Sequence, residues 1–259
     1  MDSIKYEVFK GIGLIRLNRP EVFNSFNREM AFACQHALDK CEDDTSVRAV
    51  LITGSGKAFC AGQDLKEVTD PSTNPGFRAI LEEHYNPIIK QIRTLEKPVI
   101  AAVNGVAAGA GANIALACDI VIASENASFI QAFSKIGLVP DSGGTFFLPR
   151  LIGFQKALAL CILGEKVSAA EAEKMGMIYK VFPAEGFEEA CIQLAAGLAE
   201  MPTYAIGLTK KLFNQSFDNS LEQQLEAESK WQIEAGSSND YKEGVAAFVE
   251  KRKPVFKGN

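Results

Sequence analysis

Histidine is nearly absent from this chain: His36 and His84 are the only two. No Gly-x-Ser-x-Gly nucleophile elbow occurs either, so a hydrolase built on serine, histidine and aspartate has little support. His36 reads as a surface or boundary residue of an amphipathic helix, and His84 as a structural residue rather than a pocket lining. The six cysteines (Cys34, Cys41, Cys60, Cys118, Cys161, Cys191) include no Cys-x-x-Cys pair and no neighbouring histidine. That scatter argues against a zinc site or a disulfide framework, and no metal site is expected. They read as reduced, mostly buried thiols. Cys60, beside a glycine loop, reads as a small packing residue.

Other absences narrow the field further. The N-terminal MDSIKYEVFKG has neither the charged and apolar regions of a signal peptide nor the composition of a transit peptide, and the final KGN is no peroxisomal address. No apolar run is long enough to span a bilayer, so no membrane partner is expected and the cytoplasm is the expected compartment. A formal charge of -5 without a basic stripe argues against a nucleic-acid partner. Lys251, Arg252, Lys253 and Lys257 read as a solvated tail. Gly54-Ser-Gly-Lys57 is too short for a P-loop and is followed by Ala58. Gly105-x-x-x-Gly109-x-Gly111 has Ile114 where a dinucleotide fingerprint needs a third small residue.

What is present is an ordinary globular chain of 259 residues, 47% apolar and 23% charged, long enough to bury a substantial core. Strands are predicted at Ile12 to Leu17, Val47 to Thr53, Val99 to Val103 and Asp119 to Ala123, all rich in Val, Ile and Leu. Between the first two, Arg28 to Cys41 carries Met30, Cys34, Ala37, Leu38 and Cys41 at helical spacing. A looser helix is predicted from about Phe77 to Leu95, and a buried helix after a turn within Gly105 to Ala117. Ser168-x-x-Glu171 and Ser220-x-x-Gln223 are capping-box signals, and helices are expected near 186–200, 203–216, 221–236 and 240–252. Strands first and helices last suggest an α/β core with a helical C-terminal extension.

Two segments can present backbone donors to a ligand. Phe59-Cys-Ala-Gly-Gln-Asp-Leu65 follows a strand and a glycine turn, and Asn104-Gly-Val-Ala-Ala-Gly-Ala-Gly-Ala112 lies between a strand and a helix. Glycine allows close approach of a ligand, and a helix N-terminus adds unsatisfied N–H groups. Two such donors converging on one oxygen make an oxyanion hole, in which each donor stabilises a transition state by about 2.7–4 kcal/mol. Each segment alone could equally be a tight turn in a crowded core.

Together and in this order they resemble the enoyl-CoA hydratase/isomerase (crotonase) superfamily. The resemblance runs through Leu17-Asn-Arg-Pro20, Asn24-Ser-Phe26, Lys97 to Gly105, Ala117-Cys-Asp119, Gly137-Leu-Val-Pro140, Gly143-Gly-Thr145 and Leu148-Pro-Arg150. It implies an α/β fold, a crotonase-like spiral of ββα units over residues 1–195 with a helical C-terminal oligomerisation region over 196–259. It also implies a homotrimer or dimer of trimers, and an acyl-CoA thioester as substrate, with coenzyme A entering only as part of that substrate and no other cofactor. The oxyanion amides would be those of Gln63 and Ala110. Substrate contacts would come from Ala61, Gly62, Gln63, Asp64, Leu65, Gly109, Asn113 and Phe133, with the C-terminal basic residues meeting the CoA phosphates. Asp64 also reads as a residue that fixes the Gly62 loop by hydrogen bonds.

The fold alone does not fix the reaction. Hydratases of the family carry glutamates at the positions matching Asn113 and Phe133. Neither residue here exchanges protons, which weakens a hydratase reading. Asp141 is the remaining carboxylate, at a position where isomerases of the superfamily can place their acid/base group. Its competing reading is an N-cap on a helix beginning near Ser142. The stretch Phe133 to Thr145, Gly109 to Ala112 and Tyr241 to Phe248 resemble the ring-1,2-epoxyphenylacetyl-CoA isomerases of phenylacetate degradation. The resemblance therefore implies an isomerase that shifts a double bond from Δ3 to Δ2, or opens a ring epoxide to an oxepin, through a thioester enolate. The alternatives are a hydratase with an atypical acid/base set and a non-catalytic interaction module of the same fold.

Overall fold

The computed structural model describes residues 2–259. The chain opens with an antiparallel pair, β1 (Ile4–Phe9) and β2 (Ile12–Leu17), followed by α1 (Arg28–Asp43). Three similar passes follow. In the first, β3 (Ala49–Gly54) leads into β4 (Ala58–Cys60), then α2 (Leu65–Thr69), α3 (Phe77–Ala79), a π-helical turn at Ile80–Tyr85 and α4 (Asn86–Thr94). In the second, β5 (Val99–Val103) leads into β6 (Val106–Ala108) and α5 (Ala110–Ala117). In the third, β7 (Ile120–Ser124) leads into β8 (Ser128–Ile130), a 3-10 turn at Ala132–Ile136, α6 (Gly144–Ile152) and α7 (Phe154–Leu163). The chain then runs through β9 (Lys166–Ser168), α8 (Ala169–Lys174) and β10 (Lys180–Phe182). It closes on α9 (Phe187–Ala199), α10 (Thr203–Gln215), α11 (Leu221–Ser237) and α12 (Asn239–Glu250).

Each pass gives its longer strand to a six-stranded sheet, ordered β1-β2-β3-β5-β7-β10, and its shorter strand to a four-stranded sheet, ordered β4-β6-β8-β9. That is the spiral. Crossing from one sheet to the other needs bare backbone. A Cβ on Gly54 would stand 2.2 Å from the Ala58 carbonyl oxygen, and one on Gly105 2.1 Å from that of Lys57. Asn104 ties the crossings together, accepting from the Gly54 amide (3.0 Å) and donating to the Gly56 carbonyl (3.0 Å).

The six-stranded sheet is buried on both faces, which is why its central strands read as continuous apolar runs rather than alternating ones. Ile12, Leu14, Ala49, Leu51, Ile100 and Ala102 face α9, while Ile15, Leu17, Val50, Ile52, Val99 and Ala101 join the larger core with α1 and α4. The expected face of α1 is the buried one. Met30 and Leu38 there are fully enclosed, each contributing about 1.5–3 kcal/mol of hydrophobic stabilisation.

Residue 195, after which the helical C-terminal region is expected to begin, lies within α9, whose Cys191, Ala195 and Ala199 pack on the sheet; Glu200–Pro202 join α9 to α10. Among the described residues no helix is long and apolar enough to cross a membrane.

Candidate active site

The Ala61–Leu65 loop is held from several sides. Its backbone pairs with the segment before α1: the Phe26 amide donates to the Gly62 carbonyl (2.7 Å), and the Asp64 amide to the Phe26 carbonyl (2.8 Å). Asn24, fully buried with φ at 56°, donates to the carbonyls of Ser55 and Ala58, which explains the asparagine in the Asn24-Ser-Phe26 segment. Gly62 has φ at 95°, and a Cβ there would lie 3.0 Å from the Ala108 carbonyl oxygen and 3.6 Å from the Ala110 nitrogen. The two glycine segments therefore lie side by side. Neither the Gln63 amide nor the Ala110 amide donates to a protein acceptor among the described residues. Ala110 opens α5, where an N–H has no partner within the helix and carries the positive end of its dipole.

The Gln63 side chain is clamped. Its Oε1 accepts from the Tyr85 hydroxyl (2.9 Å), and its Nε2 donates to Glu67 (2.8 Å). The other Glu67 oxygen accepts from the Arg28 amide (2.8 Å). Tyr85 is fully buried on the π-helical turn, a backbone feature frequent at functional sites. Burial first, then neighbouring groups including Asp141 and Glu67, holds its phenol well above the ordinary tyrosine pKa. It is a neutral donor.

Asp141 is half-buried, and that burial raises its pKa; the Ser142 hydroxyl, donating to Oδ1 at 2.8 Å, pulls the other way. Its Oδ2 has no protein partner among the described residues. Asp141 does not cap a helix: α6 starts at Gly144, after Ser142 (φ 50°) and Gly143 (φ 74°), and its N-terminus has no side-chain cap. A non-glycine residue at that φ is strained, and such strain concentrates at active sites.

The other residues singled out in the sequence are placed as follows in the structure. Asp64 pairs its carboxylate with Arg19 (2.8 Å) and caps α2 through the Lys66 amide (3.0 Å), so it shapes the loop. The Asn113 side chain is also engaged within the protein. It is fully buried, accepting from Gln131 (2.8 Å) and donating to the Asp141 carbonyl (2.9 Å). Phe133 is buried with its ring 3.7 Å from where a Cβ on Gly109 would stand, which puts it against the second amide loop. Ala61 is half-buried and Leu65 is 58% exposed at the loop's outer end. In the C-terminal basic group, Arg252 pairs with Glu243 and Glu250 and Lys253 with Glu200, so two of its four cations are already neutralised. Cys60 is buried, with its pKa pushed up to about 12 by burial, and acts as packing. His36 is exposed; His84 is buried against Arg28 and Phe32 with its pKa lowered, chiefly by burial. No sequence motif marks Tyr85, Glu67 or Gln131.

The chain belongs to the enoyl-CoA hydratase/isomerase family, whose model matches residues 7–259. The family acts on acyl-CoA substrates. The chain is 46% identical, over all of its own length and 99% of the relative's, to the 1,2-epoxyphenylacetyl-CoA isomerase of Escherichia coli K12. It is 44% identical to a Rhodobacter capsulatus protein named as an enoyl-CoA hydratase, covering 99% of this chain and 98% of that one. The crystal structure of enoyl-CoA hydratase from Bacillus anthracis superposes with a TM-score of 0.92 at 33% identity, covering 99% of this chain and 100% of that one. The fold is thus the crotonase-like α/β spiral expected from the motifs.

Proposed function

We propose that the chain is an acyl-CoA isomerase that moves a double bond, or opens a ring epoxide, through a thioester enolate. One observation carries the reading: two unengaged backbone amides, of Gln63 and Ala110, lie on adjoining loops, and Tyr85, whose hydroxyl donates to Gln63, also feels the charge of the half-buried Asp141 carboxylate. Both amides donating to the thioester oxygen would stabilise the enolate by several kcal/mol, since each such donor is worth about 2.7–4 kcal/mol in a site of this kind. That polarisation acidifies the α-carbon. Asp141 takes a proton there, the negative charge spreads over the conjugated system, and the same carboxyl returns the proton two carbons along. One group serves for both steps because it carries the proton between them.

A raised pKa suits this task, since a base whose conjugate acid is too strong cannot accept a carbon-bound proton efficiently. Hydration would require a second proton-transfer group. The nearby Glu67 has both oxygens committed to Gln63 and Arg28, and the Asn113 amide and Phe133 ring exchange no protons. The phenylacetyl epoxide as natural substrate rests on the resemblance to the epoxyphenylacetyl-CoA isomerases and the 46% identity to one of them.

The test is incubation with 3-hexenoyl-CoA, crotonyl-CoA and the ring epoxide of phenylacetyl-CoA, comparing wild type with Asp141→Asn. Double-bond migration and epoxide conversion that vanish in the variant are expected. Hydration of crotonyl-CoA as the fastest reaction would favour a hydratase, and acyl-CoA binding without any turnover would remove the enzymatic reading.

A further inference from the structure

The reading of Asp141 as the proton-transfer group raises the question of what aims it. The segment that bears it is strained, with Ser142 at φ 50° and Gly143 at φ 74° in succession, and such a backbone keeps its shape only if its surroundings over-determine it. The principal restraint comes from α5. Asn113 is 0% exposed, and its side chain bridges two segments that are distant in sequence. Its Oδ1 accepts from Gln131 Nε2 at 2.8 Å, and its Nδ2 donates to the Asp141 carbonyl at 2.9 Å. Chemistry fixes this orientation: the Asp141 carbonyl can only accept, so the NH2 end must face it, and the oxygen must face the Gln131 amide.

The Asp141 carbonyl accepts a second bond, from the Gly144 amide at 2.9 Å. Two donors on one carbonyl fix the plane of that peptide, and with it the direction in which the Asp141 side chain leaves the backbone. Gly144 is bare for a reason: a Cβ there would stand 2.3 Å from Asn113 Nδ2. Asn113 is also three residues beyond Ala110 on the same helix, and its own amide donates to the Gly109 carbonyl at 3.1 Å. A single helical turn therefore carries both the unengaged Ala110 N–H and the side chain that holds Asp141.

We infer that Asn113, braced by Gln131, is a positioning residue that sets the distance between the proton-transfer carboxyl and the oxyanion amides. The inference rests on Asp141 being the proton-transfer group. It does not make Asn113 a substrate contact. Gln131 is 5% exposed and makes its one side-chain hydrogen bond to Asn113, its own oxygen having no protein partner, so its contribution to the site runs through that bond.

A misplacement of about 1 Å in a reacting group can lower a rate by about a hundredfold. In Asn113→Ala the kcat for isomerisation of 3-hexenoyl-CoA is expected to fall by about 10- to 100-fold, with KM changing by less than about threefold. Gln131→Met, which keeps the volume and removes the donor, is expected to lose about three- to tenfold in kcat. The decisive readout is coupling. If Asn113 acts through Asp141, the double variant Asp141→Asn with Asn113→Ala retains the residual rate of Asp141→Asn alone, because the aim of a group that no longer transfers protons is irrelevant. A purely structural loss would instead multiply into the double variant. The inference is overturned if Asn113→Ala and Gln131→Met both keep kcat within twofold of wild type, or if the double variant loses a further tenfold. Should Asn113→Ala not fold, Gln131→Met and its double with Asp141→Asn decide the matter by the same criteria. Failure of the underlying reading looks different: there Asp141→Asn itself would still isomerise at the wild-type rate.

Discussion

At the scale of single residues, the carboxyl of Asp141 is the group whose state controls the proposed chemistry. Burial raises its pKa, and the Ser142 hydroxyl partly offsets this by favouring the ionised form. The base must be ionised to act, so kcat/KM is expected to climb with pH through an acid limb lying above the ordinary aspartate range of about 3.9. Ser142→Ala removes the hydroxyl that favours ionisation, so its acid limb should move to higher pH; a limb that stays put, or moves down, contradicts the assignment. The same shift has a stability consequence of definite sign. A carboxyl whose folded pKa exceeds its unfolded value stabilises the fold fully below the unfolded value, and that contribution is lost as pH rises through the folded one. Asp141→Asn should therefore be at least as stable as wild type at neutral pH by urea denaturation while losing isomerisation, the usual exchange of stability for function at an active site.

At the scale of elements, the site depends on how closely two short strands and a helix approach. Gly111 is the contact point: a Cβ there would meet the Cys60 carbonyl oxygen at 2.3 Å and the Cys60 sulfur at 2.7 Å. Gly111→Ala must push α5 away from β4, widening the gap between the Ala110 and Gln63 amides. Turnover of an enoyl-CoA is expected to fall by about a hundredfold, with coenzyme A affinity much less affected, as steady-state kinetics and calorimetry would show. These elements also mark where sequence reading stops. The central strands β2, β3, β5 and β7 were legible because burial on both faces makes them apolar runs, and the starts of α8 and α11 because Ser168 and Ser220 announce capping boxes that the structure contains. The second sheet was not legible. Its strands are three residues long, too short for a period to show, and β4, β6 and β8 find their partners some 20 to 50 positions away in sequence. Likewise, glycine punctuation betrayed the Gln63 and Ala110 amides, but nothing in sequence betrays Tyr85, whose hydroxyl reaches Gln63 from the end of a π-helical turn, or the Asn113 bridge between Gln131 and Asp141.

At the scale of the whole molecule, two questions follow: what joins the C-terminal helices to the spiral, and what covers them. The join is ionic and partly buried. Lys210 of α10, only 6% exposed at its side chain, pairs with Asp119 at 2.7 Å and donates to the Ile92 carbonyl at 2.6 Å, while Arg93 meets the other Asp119 oxygen at 3.1 Å. Removing Asp119 leaves the nearly buried Lys210 ammonium with backbone carbonyls as its only partners, so Asp119→Ala should lower unfolding free energy by about 1.5–3 kcal/mol in a urea titration. The covering is a matter of exposed surface. Phe154 and Ile162 on α7, Phe213 on α10, Ile233 on α11 and Phe248 and Val249 on α12 are all more than 60% exposed. Isolated exposed apolar residues are ordinary, but large aromatic and aliphatic side chains left bare on four helices exceed what a single soluble chain usually presents. Additional copies of the chain would bury them without a foreign partner. A sedimenting mass that is a multiple of 28.0 kDa is therefore expected, three or six copies being what the family resemblance implies, and Phe248→Glu with Val249→Glu should shift it to a smaller species of unchanged helix content. Wild-type protein sedimenting as a single 28.0 kDa chain at micromolar concentration would show that these side chains are bare in solution and that the site operates within one chain.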